Sequence, residues 1–248
     1  MINIRSVFRY VTEDEKQKFK DSRCLLTISV GQEVHENEMF ESVVKLVNNA
    51  FKSCILLIDD SLQRHTMAIT SSRDADFFYE QSIEAGDAWL ERNNKYYKEI
   101  EIMKDIIRWD YWLKKDQYVK QQGKIKELIE QDEEYKDAFS QTIDAFLSRN
   151  HLRFFSAEKN DLERARQLCL DYLIEECTAL CLWVETGCNF EVYPGRRNLA
   201  MVETHKRFVI KEYPHLLHPV GVKFKNRKQL KPQRFPTASP EKMVISRG

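Results

Sequence analysis

Two apolar runs decide the fold: CLLTISV, Cys24 to Val30, and SCILLIDD, Ser53 to Asp60. Each is short, rich in β-branched residues and bounded by polar segments, the pattern of a strand buried on both faces. Between them lies a polar loop, GQEVHENE, and then a helix expected from about Glu38 to Phe51, with Asn37 as its cap. Phe40, Val43, Val44 and Val47 recur along it at helical spacing. Strand, helix and strand make a βαβ unit with parallel strands. Ligands in such sheets sit beyond the carboxyl ends of the strands, here Ser29 to Gln32 and Asp59 to His65.

Outward from this unit, residues 72–131 read as helical and heavily charged. In KYYKEIEIMKDIIRWDYWLKKDQYVK, Ile100, Met103, Ile106 and Ile107 form an apolar stripe with charges between them. Lys114, Lys115, Lys120, Lys124 and Lys126 lie on this stretch and are candidates for phosphate contacts, although most such faces are simply solvated. Further helices are expected over 132–150 and 161–186, and a strand over CNFEVY, Cys188 to Tyr193, stopped by Pro194. Another strand is expected near Arg207 to Ile210, and a loosely packed basic tail from about 223 to 248. The 248 residues are expected to form one domain with that tail.

Composition narrows the class. Apolar residues make up 42 % and aromatics 11 %, as in a globular protein. No stretch approaches the length of a membrane span. The opening MINIRSVFRYVTEDEKQKFK carries charges where a signal peptide needs an apolar run, so the expected location is the cytoplasm. The six cysteines contain no CxxC pair and lie mostly in apolar segments, which predicts buried thiols rather than a metal site or a disulfide framework. Net charge is zero, but from Val192 onward thirteen Lys or Arg stand against three acids. Such a basic end suits a phosphate-bearing partner or is a solvated tail.

Several residues can carry chemistry. Ser29 ends the first strand, where its oxygen can be presented beside loop N–H groups able to stabilise an oxyanion; a serine there is more commonly a turn residue. Tyr172 and Glu176, four apart, share a face of an apolar helix. A buried carboxylate needs a partner: an ammonium ligand would serve, and so would an internal Lys or Arg. Glu175 points about 100° away and is the fallback if the register differs. Tyr193 ends a strand, and its phenol can relay a proton or merely pack. His65 follows the second strand as a pocket or scaffold residue. There is no GxGxxG, GxxxxGK[ST], GxSxG or HExxH, so no nucleotide cofactor and no metal is expected.

Taken together, CLLTISVGQE with Ser29, SCILLIDDSLQRHT, RWDYW from Arg108 to Trp112, Tyr172-x3-Glu176 and VYPG from Val192 to Gly195 resemble a cyclodipeptide synthase. The resemblance spans roughly Cys24 to Gly195. It implies an α/β fold, a Rossmann-like parallel sheet flanked by helices, similar to the catalytic domain of class I tyrosyl- and tryptophanyl-tRNA synthetases but without ATP chemistry. It implies two aminoacyl-tRNAs as substrates, a diketopiperazine product, and a Ser29-linked aminoacyl and then dipeptidyl enzyme. Tyr172 and Glu176 would hold the α-ammonium of the first aminoacyl group, and Tyr193 would assist later steps. Gln32 with Tyr193–Pro194 resembles the Tyr-Pro branch of the family. Thr27 stands where better-known members carry glycine beside the first pocket. Thr27, Gly31, Gln32, His65 and Pro194 are expected to bind substrate, the five lysines tRNA, and a monomer is favoured. The rival readings are another Ser29 acyltransferase or hydrolase, and a synthetase-like module that binds tRNA without catalysis.

Overall fold

The computed structural model describes residues 4–9, 11–71, 73–150 and 159–225. Six strands form one sheet: β1 (Arg5–Arg9), β2 (Arg23–Ser29), β3 (Ser53–Asp59), β4 (Met103–Arg108), β5 (Phe190–Tyr193) and β6 (His218–Lys225). Their order is β1-β6-β5-β2-β3-β4, parallel throughout except that β1 runs antiparallel to β6. From β2 the chain builds outward through β3 to β4 and then returns to the opposite side of β2 for β5. The carboxyl ends of β2 and β5 therefore flank a topological switch point, the place where open α/β sheets hold ligands.

Both faces of the central strands are covered, which is why they appear in the sequence as unbroken apolar runs. Cys24, Leu26 and Ile28 of β2, with Cys54, Leu56 and Ile58 of β3, pack against α2 (Asn37–Ala50) and Trp89 of α4 (Ala75–Tyr97). The alternate residues, Leu25, Ile55 and Leu57, face α8 (Lys159–Leu182) through Ala179, Leu180 and Leu182. Outside α8 lies a further helical layer of α6 (Tyr118–Gln131) and α7 (Glu133–Arg149), joined to it by Ile125, Tyr135, Phe139 and Ile143.

Several expectations are corrected. The stretch around Met103 to Arg108 is a strand at the sheet edge, not part of a helix: it pairs in parallel with β3, and only Ile107 is buried. Arg207 to Ile210 belongs to a π-helical segment, His205–Ile210, that continues α9 (Leu199–Thr204). The strand lies later, as β6, so residues 223–225 of the expected tail are sheet, and residues 226–248 lie outside the described residues. Asn37 does not cap α2; it opens the helix at φ 52° and its N–H donates to Asn93 Oδ1 at 3.1 Å. β1 and α1 (Glu13–Phe19), started by a Thr12/Glu15 capping box, went unread in the sequence. The six cysteines are free, and all but Cys181 are buried. Among the described residues no helix is long and apolar enough to cross a membrane.

Candidate active site

β2 and β3 are in register with Ser29 opposite Asp59, so the last side chains of two adjacent strands meet. The Ser29 hydroxyl donates to Asp59 Oδ2 at 2.8 Å, and the Tyr193 phenol at the end of β5 lies 3.2 Å from Ser29 Oγ. The other oxygen of Asp59, Oδ1, accepts the Val30 N–H at 3.1 Å and the Gln63 side chain at 3.2 Å. Burial pushes the Asp59 carboxyl well above its ordinary value, the bonds from Ser29, Val30 and Gln63 oppose this, and the nearby Glu176 carboxylate adds to it.

The turn after Ser29 is held from below. His35 is buried, and its Nδ1 accepts the Ser29 N–H at 2.7 Å. Burial lowers its pKa to about 4, so the ring is neutral at pH 7 and can accept. Gly31 sits at φ 86°, a conformation that costs a side-chain-bearing residue, and lets the Gln32 N–H return to the Ser29 carbonyl at 3.2 Å. The N–H groups of Ser29, Val30 and Gln32 are thus engaged by His35, Asp59 and the Ser29 carbonyl. Those three are not free to stabilise an oxyanion, and the Tyr193 phenol lies beside the serine oxygen.

α8 carries Glu176 to the same place. Glu176 accepts from the Tyr172 phenol at 3.4 Å and from Asn198 Nδ2 at 2.9 Å. Burial raises its pKa to about 7, while those two bonds and the charge of Arg197 hold it down. Glu175 faces elsewhere, accepting from Arg64 through both oxygens, from Trp109 Nε1 at 2.8 Å and, on one oxygen, facing His65 Nε2 at 3.2 Å. Burial alone would raise Glu175, but His65 and Arg64 outweigh it and hold the group ionised. The DSLQRHT segment thereby locks the register of α8, which leaves Glu176 and not Glu175 facing Ser29.

Thr27, Ser29, Asp59, Glu176 and Tyr193 line one pocket together with Leu57, Trp109, Trp183, Glu191 and Met201; its empty volume is about 310 Å³ with the open mouth included. Of the other expected site residues, Pro194 is buried, Gln32 is exposed, and His65 faces Glu175. Lys114, Lys120, Lys124 and Lys126 are exposed on and beside α6, whereas Lys115 pairs with Glu185 at 2.7 Å and lies over the Tyr111 ring. The sequence places Asp59 and Gln63 in a ligand-facing stretch without an individual role, and gives His35 and Asn198 none. Only the register of β2 and β3 reveals Asp59, although its place at a strand tip was a signal. Asn198 was legible as a helix cap, its Oδ1 accepting the Met201 N–H at 2.8 Å, but its hold on Glu176 was not.

Gly195 has a tight neighbour: a methyl group there would meet the Tyr193 ring at 2.7 Å and its hydroxyl at 3.0 Å. Gly195→Ala is expected to push the phenol off Ser29 and lower turnover by about 10- to 100-fold. Its thermal unfolding should stay close to wild type. Steady-state rates and a melting curve on the same preparation check both.

The fold and the pocket define a Rossmann-like α/β protein that brings a serine hydroxyl, a tyrosine phenol and two buried carboxyl groups together at a sheet switch point. A CDPS from Fluoribacter dumoffii is 40 % identical, covering 90 % of this chain and 100 % of that one, with a TM-score of 0.86. The chain belongs to the cyclodipeptide synthase family, whose members are tRNA-dependent aminoacyltransferases. The same fold occurs in a cyclodipeptide synthase from Candidatus Glomeribacter gigasporarum bound to Phe-tRNAPhe, with TM-score 0.68 and 16 % identity over 91 % of this chain and 97 % of that one. It occurs also in a Mycobacterium tuberculosis protein that relates cyclodipeptide synthetases to type I tRNA synthetases, at 0.61 and 10 %, over 89 % and 93 %. No protein-family model and no curated protein matches the chain.

Proposed function

We propose that this enzyme joins the amino acids of two aminoacyl-tRNAs into a diketopiperazine by a ping-pong route through Ser29, and that it works as a member of the Tyr-Pro branch. The observation that carries the reading is the meeting in one pocket of Ser29, hydrogen-bonded to Asp59 at 2.8 Å, with Glu176. Burial raises both carboxyls, Glu176 raises Asp59 further, and an ammonium entering beside them relieves the penalty.

The first aminoacyl group places its ammonium at Glu176 and Tyr172 and its side chain toward Leu57, Trp109 and Trp183. Ser29 Oγ attacks the ester carbonyl. Its proton passes to Asp59 and on to the ribose oxygen of the departing tRNA. Asp59 already accepts the Ser29 hydroxyl at 2.8 Å, so it is placed to take that proton and return it. The ester is already activated, so the reaction draws on no nucleotide. For Ser29 to stay acylated, the amine of the seryl-bound residue must be the next nucleophile. It gives up its proton to Glu176, attacks the ester of the second aminoacyl-tRNA and releases the second tRNA, leaving a dipeptidyl enzyme. The terminal amine of the dipeptide then attacks the seryl ester, closes the six-membered ring and frees Ser29. That step is intramolecular, so positioning supplies much of its rate.

Lys114, Lys120, Lys124 and Lys126 are the proposed contacts to tRNA phosphates, which makes binding weaken as salt rises. Lys115 joins them only if it leaves Glu185. The proposal takes the chain as one catalytic domain, monomeric and cytoplasmic.

The test is mass spectrometry of the medium from a bacterium expressing the chain, beside one carrying an empty vector. A new diketopiperazine mass is expected and names the two amino acids. Soluble protein that yields no new mass and discharges no aminoacyl-tRNA in vitro would overturn the proposal.

A further inference from the structure

Glu191 lines the same pocket as Asp59 and Glu176. It sits in the middle of β5, in register with Leu25 on one side and Pro219 on the other, and is 1 % exposed. A charge so placed needs a partner, and the partner is Arg197, whose side chain is 9 % exposed. Arg197 directly precedes Asn198, the residue that donates to Glu176 at 2.9 Å. One buried guanidinium therefore has two buried carboxylates within reach of its field. Burial lowers the Arg197 pKa to about 9, and Glu176 is the first group opposing that.

The contest has a definite outcome. Arg197 is ion-paired with Glu191, and the hydrogen-bond partners of Glu176 are the neutral Tyr172 and Asn198. Facing Glu176 from the other elements are Asp59 and Tyr193, and next to it on its own helix is Cys177; none of these is a cation. An arginine free to turn would form a bidentate pair with Glu176 and fill the lone pairs that an incoming ammonium needs. Held by Glu191, it lends Glu176 its field without occupying its oxygens.

We propose that Glu191 is a positioning residue: it holds Arg197 away from Glu176, so that the substrate's ammonium, and not the protein's own guanidinium, neutralises the Glu176 carboxylate. This rests on the ammonium site assigned above and explains why a pocket lined also by Leu57, Trp109, Trp183 and Met201 retains a buried ion pair. A hydrophobic replacement of such a pair is often no less stable, so stability alone gives no reason to keep it.

The test is single-turnover acylation at pH 7.5 of wild type, Glu191→Gln and Glu191→Gln/Arg197→Gln. The donors are a bulk bacterial tRNA pool charged with labelled amino acids, and the same pool after N-acetylation. Glu191→Gln is expected to raise the half-saturating concentration of the free-amine pool by about tenfold or more, with the maximal rate within about threefold. Its preference for the free amine over the N-acetyl donor collapses, and the double variant recovers most of both. Unchanged half-saturation in Glu191→Gln, or a loss that the double variant does not recover, would overturn the proposal while leaving Ser29 acylation standing. Should the single variant not fold, the double variant decides: a preference for the free amine within about threefold of wild type supports the proposal, and its loss overturns it. A wild-type protein acylated by neither pool overturns the functional reading and this proposal with it.

Discussion

Ser29→Ala should lower cyclic dipeptide formation by about 10³-fold or more while the protein stays folded. The chemistry proposed for this pocket has one acyl acceptor, so nothing else in it can hold the first amino acid while the second tRNA binds. The structural cost is small by comparison. Asp59 loses one donor but keeps the Val30 N–H at 3.1 Å and the Gln63 amide at 3.2 Å. A deleted hydrogen bond of this kind costs about 1–2 kcal/mol. Intact-protein mass spectrometry after brief exposure to charged tRNA gives the sharper readout: an added aminoacyl mass on wild type and none on Ser29→Ala. A variant that still makes product would show that the acyl group is carried elsewhere.

Glu176→Gln separates the charge of the ammonium site from its shape. The amide keeps the contacts to Tyr172 and Asn198 in some form but offers no negative charge, so aminoacyl transfer should fall by about 10²-fold or more. The same variant also carries a stability signature. Burial raises the Glu176 carboxyl from 4.5 to about 7 in the folded protein. A folded-state pKa above the unfolded one means that the folded chain binds the proton more tightly. The contribution is therefore fully present below about pH 4.5 and is lost as pH rises through about 7. Its size is about 3 kcal/mol. Urea unfolding of the substrate-free protein at pH 5, 6, 7 and 8 should show wild type losing stability across this range relative to Glu176→Gln. Parallel curves for the two proteins would mean that Glu176 is ionised in the empty pocket at every pH tested. Substrate removes the penalty, because the ammonium supplies the charge that the free pocket lacks.

The places where sequence reading succeeded and failed share a physical logic. β2, α2 and β3 were legible because burial on both sheet faces leaves an unbroken apolar run, and one-sided burial of a helix leaves a 3.6-residue stripe. β4 was read as helix because an edge strand buries little: MKDIIR has two adjacent isoleucines among charges, and that pair fits either period. The RFVI segment failed the other way, since four residues cannot tell a strand from a buried helical turn. β6 does alternate, with Val220, Val222 and Phe224 buried and its lysines outward, but basic composition hid the alternation.

For the site, the sequence by itself determined which residues could do chemistry: Ser29 at a strand tip, Tyr172 and Glu176 one turn apart, and Tyr193 before a proline that ends its strand. Those are local properties, fixed by spacing and side-chain type. What only the tertiary structure decided is which groups meet across the chain. Register sets Asp59 beside Ser29, Arg64 and His65 claim Glu175 and so leave Glu176 to the pocket, and Arg197 goes to Glu191. Each choice depends on strand pairing or on competition between buried charges far apart in sequence. Neither leaves a mark on the run of residues around any one of them.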